Sequence, residues 1–164
     1  MRIDGACHCG FIKIEAEADP ENTTICHCTD CQSSTGSAFR VSIPVAGATL
    51  KMTGQPTTYL KTADSGTPRV QAFCPQCGSP IYSTSPGDGV RPSYTVRVGI
   101  LRQRGELVPK RQIWFRSALP WLAGLGTIPQ SGLATVPKAK STLRRYECHD
   151  RDRFSLPIAA GIER

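Results

Sequence analysis

Phe73-Cys74-Pro75-Gln76-Cys77-Gly78 places two thiols on one tight turn, followed by a glycine that lets the backbone fold back around whatever the thiols hold. Zinc in a structural site takes four soft or borderline ligands in a tetrahedron, and a close cysteine pair supplies two of them with little loss of chain entropy. A second such pair lies near the N-terminus, in Cys7-His8-Cys9-Gly10. Together Cys7, Cys9, Cys74 and Cys77 make a complete four-cysteine zinc site that ties two distant parts of the chain together.

Between the two pairs lies Cys26-His27-Cys28-Thr29-Asp30-Cys31, which offers three more thiols. Three protein ligands and an open fourth position are the pattern of catalytic zinc. Such an ion can take an incoming thiol and hold it as thiolate at neutral pH. Cys26, Cys28 and Cys31 are therefore the candidate catalytic group, and two Zn²⁺ per chain are expected. Other readings stay open. Disulfides are possible in principle, but a Cys-X-Cys bridge is strained. Iron and iron–sulfur clusters also take four cysteines. The second site closes if His8, His27, His149 or Cys148 supplies a fourth ligand, although histidines wedged between ligand cysteines more often support the ligands than bind the metal. Cys148 also reads as an unpaired surface thiol.

The 164-residue chain is long enough for one domain with its own core. No apolar run approaches the length of a membrane helix, and Met1-Arg2-Ile3-Asp4-Gly5 reaches a cysteine pair with no apolar leader. A cytoplasmic protein with reduced thiols is the expectation, and that favours metal over disulfides. The formal charge of +7 invites a nucleic-acid partner. However, the residues after Gln130 supply +3 of it, and seven thiolates on two divalent ions remove a further three charges from the remainder. The metallated core then sits near +1, which argues against a polyanion partner.

Fifteen glycines and thirteen prolines favour turns and short strands, so a mainly β fold is expected. Ile12, Ile14, Ala16 and Ala18 alternate with Lys13, Glu15 and Glu17, the pattern of a half-buried strand that Asp19-Pro20-Glu21-Asn22 breaks. Thr29 or Asp30 is placed to cap a short helix that Gly36 ends. Strands are expected over 38–45, over 49–53 with a return over 57–61 after the turn at Gly54, and over 70–73 and 80–84. A further strand over 94–101 places Tyr94, Val96, Val98 and Ile100 on one face. Ile113-Trp114-Phe115 is the last short apolar run before Leu119-Pro120-Trp121. Residues 1–130 read as the zinc-binding domain and 131–164 as a basic, poorly ordered tail.

These motifs resemble those of the glutathione-dependent formaldehyde-activating enzyme family, which includes centromere protein V-like domains. The resemblance rests on Gly5-Ala6-Cys7-His8-Cys9-Gly10, on Cys26-His27-Cys28-Thr29-Asp30-Cys31 with Gly36-Ser37-Ala38-Phe39, and on Phe73 to Tyr82. Ile113-Trp114 with Ser117-Ala118-Leu119-Pro120-Trp121 looks like the closing motif. It implies an Mss4-like β-tent, short antiparallel strands pinned by zinc with one or two short helical turns. It also implies a structural zinc on Cys7, Cys9, Cys74 and Cys77 and a catalytic one on Cys26, Cys28 and Cys31. The implied activity is that of a carbon–sulfur lyase joining glutathione to formaldehyde, with glutathione or a related thiol as the small-molecule partner. Arg40, Arg97 or Lys13 are candidates to meet the glutathione carboxylates, Trp114 to wall the pocket, and Asp30 and Ser37 to flank the open site. Arg40, Arg97, Lys13 and Trp114 read more readily as solvated surface charges or a core aromatic, and capping or turn duties explain Asp30 and Ser37 equally well. A zinc-stapled binding module without catalysis is the competing function.

Overall fold

The computed structural model describes residues 1–63 and 66–132, so His149 and Cys148 lie outside the described residues. Among the described residues ten strands form two sheets. The smaller one has the order β1 (Arg2–Ala6), β2 (Lys13–Glu17), β5 (Lys51–Thr53), all antiparallel. The larger one contains β3 (Thr24–Cys26), β4 (Arg40–Ala46), β6 (Thr57–Thr62), β7 (Pro68–Phe73), β8 (Pro80–Thr84), β9 (Ser93–Arg97) and β10 (Arg111–Ile113). Its order is β10-β3-β4-β9-β8-β7-β6, antiparallel except for the β10–β3 pair. The fold is the mainly β, Mss4-like tent that the motifs imply.

The core joins the two sheets. Ile3, Ile14 and Ala16 from the small sheet, with Ile12 just before β2, meet Ile43, Val45, Ala72, Ile81, Val96 and Leu101. β2 alternates as expected, with Ile14 and Ala16 buried and Lys13, Glu15 and Glu17 exposed. Asp19 ends the segment by accepting the Glu21 N–H and starting a 3-10 turn over Pro20–Asn22. Pro44 is tolerated in β4 because β3 pairs only as far as Ser42, so the missing N–H interrupts no ladder on that side.

Three expectations need correction. The segment 57–61 is not the return of a hairpin: β5 pairs with β2, β6 pairs with β7, and the chain passes from one sheet to the other at Gly54. The alternation over 94–101 stops at Arg97, where a 3-10 turn takes over at Val98–Ile100 and leaves Leu101 buried in place of Ile100. The helix, α1 (Thr29–Thr35), is capped neither by Thr29 nor by Asp30 but by Cys28, whose Sγ accepts the Cys31 N–H. Gly36 closes it in the left-handed region at φ 60°, as expected.

Gly5 sits where β1 bridges Leu101, and a Cβ there would come within 2.2 Å of the Ile100 carbonyl oxygen. Only backbone lies opposite, so no side chain can yield. We expect Gly5→Ala to lower stability by about 1–3 kcal/mol, the usual scale of overpacking. A thermal midpoint equal to that of the parent protein would show that the two backbones separate freely.

Candidate metal centres and the cavity beside them

Two turns of the same design bring the first cluster together. Cys7 closes one with N–H···O bonds to and from its neighbours: its N–H donates to Ile12 O at 3.0 Å, and the Gly10 N–H donates back to Cys7 O at 2.9 Å. Cys74 closes the other through Ser79 O and the Gly78 N–H, both at 2.9 Å. Gly10 and Gly78 both have φ near +70 to +78°, so each turn needs its glycine. The Ile12 N–H also donates to Cys7 Sγ at 3.2 Å, which suits a sulfur that carries negative charge. Cys7 and Cys74 are buried in the core, whereas Cys9 and Cys77 lie at the rim.

The second cluster sits at the end of β3 and the start of α1. The backbone N–H of His27 donates to Ile113 O, which fixes the loop to β10. Gln32 anchors it from the helix side, its Nε2 donating at 2.8 Å to both His27 O and Ser117 O. His27 itself is 2% exposed, with its ring packed edge-on against Phe39 and Phe115 and its Nε2 on Gln112 Oε1 at 2.7 Å.

The donor sets fit zinc. Bonds of about 2.3 Å to the corners of a tetrahedron put sulfurs about 3.8 Å apart. The Sγ atoms of Cys7 and Cys9 lie 3.5 Å apart, those of Cys9 and Cys74 3.7 Å, and those of Cys26 and Cys28 3.5 Å. Within each cluster all sulfurs fall within 4.8 Å of one another. The two groups can therefore hold metal ions. Among the described residues the first has four candidate ligands and the second three, and neither His8 nor His27 joins the second.

The three-cysteine group opens on a cavity of about 230 Å³. Its floor is one face of the large sheet. In β4, Ile43 and Val45 enter the core while Arg40 and Ser42 point the other way, buried as well. Across the ladder Ser42 faces Arg97, and Thr95, Ser83 and Gln71 form the next row. Lys61 and Asp30 pair at the mouth. As a free thiol Cys26 is pulled down to about 5, chiefly by its hydrogen bond with Cys31, then by the Cys28 N–H and the Arg40 charge. Cys31, the proton-bearing partner, is pushed up. Burial, and after it the like charge of Arg40, brings the Arg97 guanidinium down to about 9.

Of the residues singled out from the sequence, Arg40, Arg97 and Asp30 line this cavity. Lys13 lies on the exposed face of β2, and Ser37 lines a different groove. Trp114 is not in the wall. It takes a left-handed backbone, φ 56°, that turns the chain after β10, and its ring carries the Arg116 guanidinium at 4.8 Å. Sequence reasoning missed Gln71, Ser42 and Ser83, because polar residues alternating along a strand ordinarily mark a solvated face.

The sequence profile of the glutathione-dependent formaldehyde-activating enzyme family matches residues 2–117. The chain belongs to this family. That span holds both cysteine clusters and the whole cavity floor. A crystal structure of a Rhodobacter sphaeroides protein shares the fold with a TM-score of 0.50 at 22% identity, over 66% of this chain and 98% of that one. No curated protein matches the chain. No helix among the described residues is long and apolar enough to cross a membrane.

Proposed function

We propose that this family member is a zinc-dependent carbon–sulfur lyase-type enzyme. Its substrates on this reading are glutathione and formaldehyde, joined as S-hydroxymethylglutathione, or a related thiol adduct. The observation that carries the reading is the contrast between the clusters. One has four sulfurs on two closed turns, and the other has three sulfurs at the end of a cavity.

Cys7, Cys9, Cys74 and Cys77 would hold the structural ion, and Cys26, Cys28 and Cys31 the catalytic one. When bound there, zinc supplies the Lewis acidity that keeps an added thiol deprotonated at neutral pH. The chain's own part is placement. Helix α1 and the Gln32 contacts fix the three-cysteine loop, and the sheet face holds the rest of the thiol substrate. The substrate sulfur then adds to the carbonyl carbon, a C–S bond forms, and the C=O π pair moves to oxygen. That oxygen takes up a proton equivalent to the one the thiol released. Holding both reactants in one small cavity is the source of acceleration, since proximity alone can supply a large share of a bimolecular barrier.

Exchange NMR on glutathione and formaldehyde tests the proposal. Catalytic amounts of the zinc-loaded protein are expected to speed adduct exchange at least tenfold over the spontaneous reaction. Binding of glutathione without acceleration would favour a carrier, and neither effect would leave a zinc-stapled binding module.

A further inference from the structure

A sheet edge is a row of unpaired N–H and C=O groups that a second chain can extend, and folds guard such edges with short strands, charges, proline or a covering segment. Among the described residues the other edges of the two sheets are guarded in these ways. β5 and β10 have three residues each and carry Lys51 and Arg111. β1 is covered by the segment after β9: Gly5 bridges Leu101, and the Asp4 N–H donates to Gln103 Oε1 at 3.1 Å. β6, the last strand of the large sheet, has none of these devices. It runs six residues, Thr57–Thr62, without proline. Its one charge, Lys61, is turned to Asp30 at the cavity mouth. Tyr59 and Leu60 are 60% and 61% exposed.

The hairpin decides which backbone groups are free. The Ala63 N–H donates to Thr67 O at 3.0 Å, so in the same register Lys61–Arg69, Tyr59–Gln71 and Thr57–Phe73 are the bonded pairs. The alternate residues Thr58, Leu60 and Thr62 turn their N–H and C=O outward. Pro68, which has no N–H to give, stands opposite Thr62 in a non-bonded pair.

These outward groups fit a second copy of the same strand, antiparallel, in one register. Leu60 then bonds to Leu60 across a twofold axis, and Thr58 bonds to Thr62 on either side. A shift by one pair in one direction sets Pro56 at a bonding position against Thr62, and a shift in the other sets Lys61 against Lys61. In the favoured register the side chains also match. Leu60 faces Val70 across its own ladder, so the two copies form one apolar row, Val70-Leu60-Leu60-Val70. On the cavity face Tyr59 meets Lys61 of the second copy in a non-bonded pair, where side chains lie closest, and its ring can carry the ammonium.

We propose that β6 is the docking edge for a second copy of this chain, giving a twofold dimer in which Tyr59 of the second copy stands beside Lys61 at the mouth of the cavity. The dimer does not depend on the thiol chemistry proposed above. A contact built on one strand lies at the low end of interface sizes, so half-association is expected at roughly 1–100 μM.

Sedimentation velocity of the zinc-loaded protein over that range and up to about 500 μM tests this. A monomer at every concentration overturns the proposal. Leu60→Lys sets two ammoniums against each other on the axis, and Thr58→Pro removes a donor that β7 does not use. Each is expected to weaken dimerisation by about tenfold or more, with the circular dichroism of the parent retained. Unchanged dimerisation in either folded variant places the contact on another face and overturns the proposal. Amide hydrogen exchange of the parent, resolved to single residues, needs no variant and reads the register. The amides of Thr57, Tyr59 and Lys61 should be protected at every concentration. Those of Thr58, Leu60 and Thr62 should exchange about fivefold more slowly at the top of the range than at the bottom. Equal exchange at both ends overturns the β6 contact even where a dimer forms.

Discussion

Replacing Cys9 with serine is expected to unfold the domain, although Cys9 lies at the surface. Exposed side chains of ordinary kind tolerate such a change within about 0.5 kcal/mol. Cys9 is exposed and belongs to no hydrophobic cluster, so packing gives no reason for a large effect. The reason would be metal. Zinc on a four-cysteine site in small domains supplies on the order of 10–16 kcal/mol at neutral pH, as much as the whole stability of a typical domain. The site also links the two sheets. Cys7 follows β1 in the three-stranded sheet and Cys74 follows β7 in the seven-stranded one, so the four sulfurs join the sheets at one corner. Circular dichroism of Cys9→Ser, with Cys74→Ser beside it, gives the measurement. Both variants should lose the cooperative melt, and a strong chelator should do the same to the parent protein. Cys74 is 1% exposed, so its loss alone mixes packing with metal, and Cys9 separates them. A cooperative melt of Cys9→Ser near the parent temperature would remove the structural site from the account.

How much of this could be seen in the sequence followed from how local each feature is. The cysteine turns are legible because ligand spacing, the closing glycines and the closing hydrogen bonds are set within a few residues, from Cys7 to Ile12 and from Cys74 to Ser79. The β2 alternation is legible because one strand with one wet face keeps a strict period of two. β1 and β3 escaped. β3 has three residues, too few for a period, and β1 holds Gly5, which reads as a turn residue but serves a close backbone crossing. The pairing of β5 with β2, and not with β6, is a tertiary choice that a hairpin-like Gly54 turn conceals. The cavity floor was hardest to see. Arg40, Ser42, Thr95 and Arg97 look like a solvated strand face, because the loop and helix that cover them come from residues 26–35, and no local pattern on β4 or β9 records that roof.

Cys28→Ser is expected to behave in the opposite way: a folded protein that has lost its chemistry. Cys28 caps α1, with extended backbone geometry and a Sγ that accepts the Cys31 N–H at 3.4 Å. Serine is among the best helix caps, so its hydroxyl can take over that hydrogen bond, and the turn, the helix and the Gln32 anchors should persist. As a neutral hydroxyl it is a poor replacement for a thiolate on zinc, so two of three sulfurs remain and the ion should be lost. Metal analysis should fall from two zinc per chain to one, with the thermal midpoint within a few degrees of the parent. Acceleration of glutathione–formaldehyde exchange should fall to the spontaneous rate. The pair of serine variants thus divides the seven cysteines by consequence. Cys9 is exposed, yet its loss should remove the fold. Cys28 stands inside the structural frame of a helix, yet its loss should remove only the second metal and what depends on it. If Cys28→Ser instead unfolds as Cys9→Ser does, the second cluster is a staple like the first. The cavity beside it would then have no reactive centre to serve.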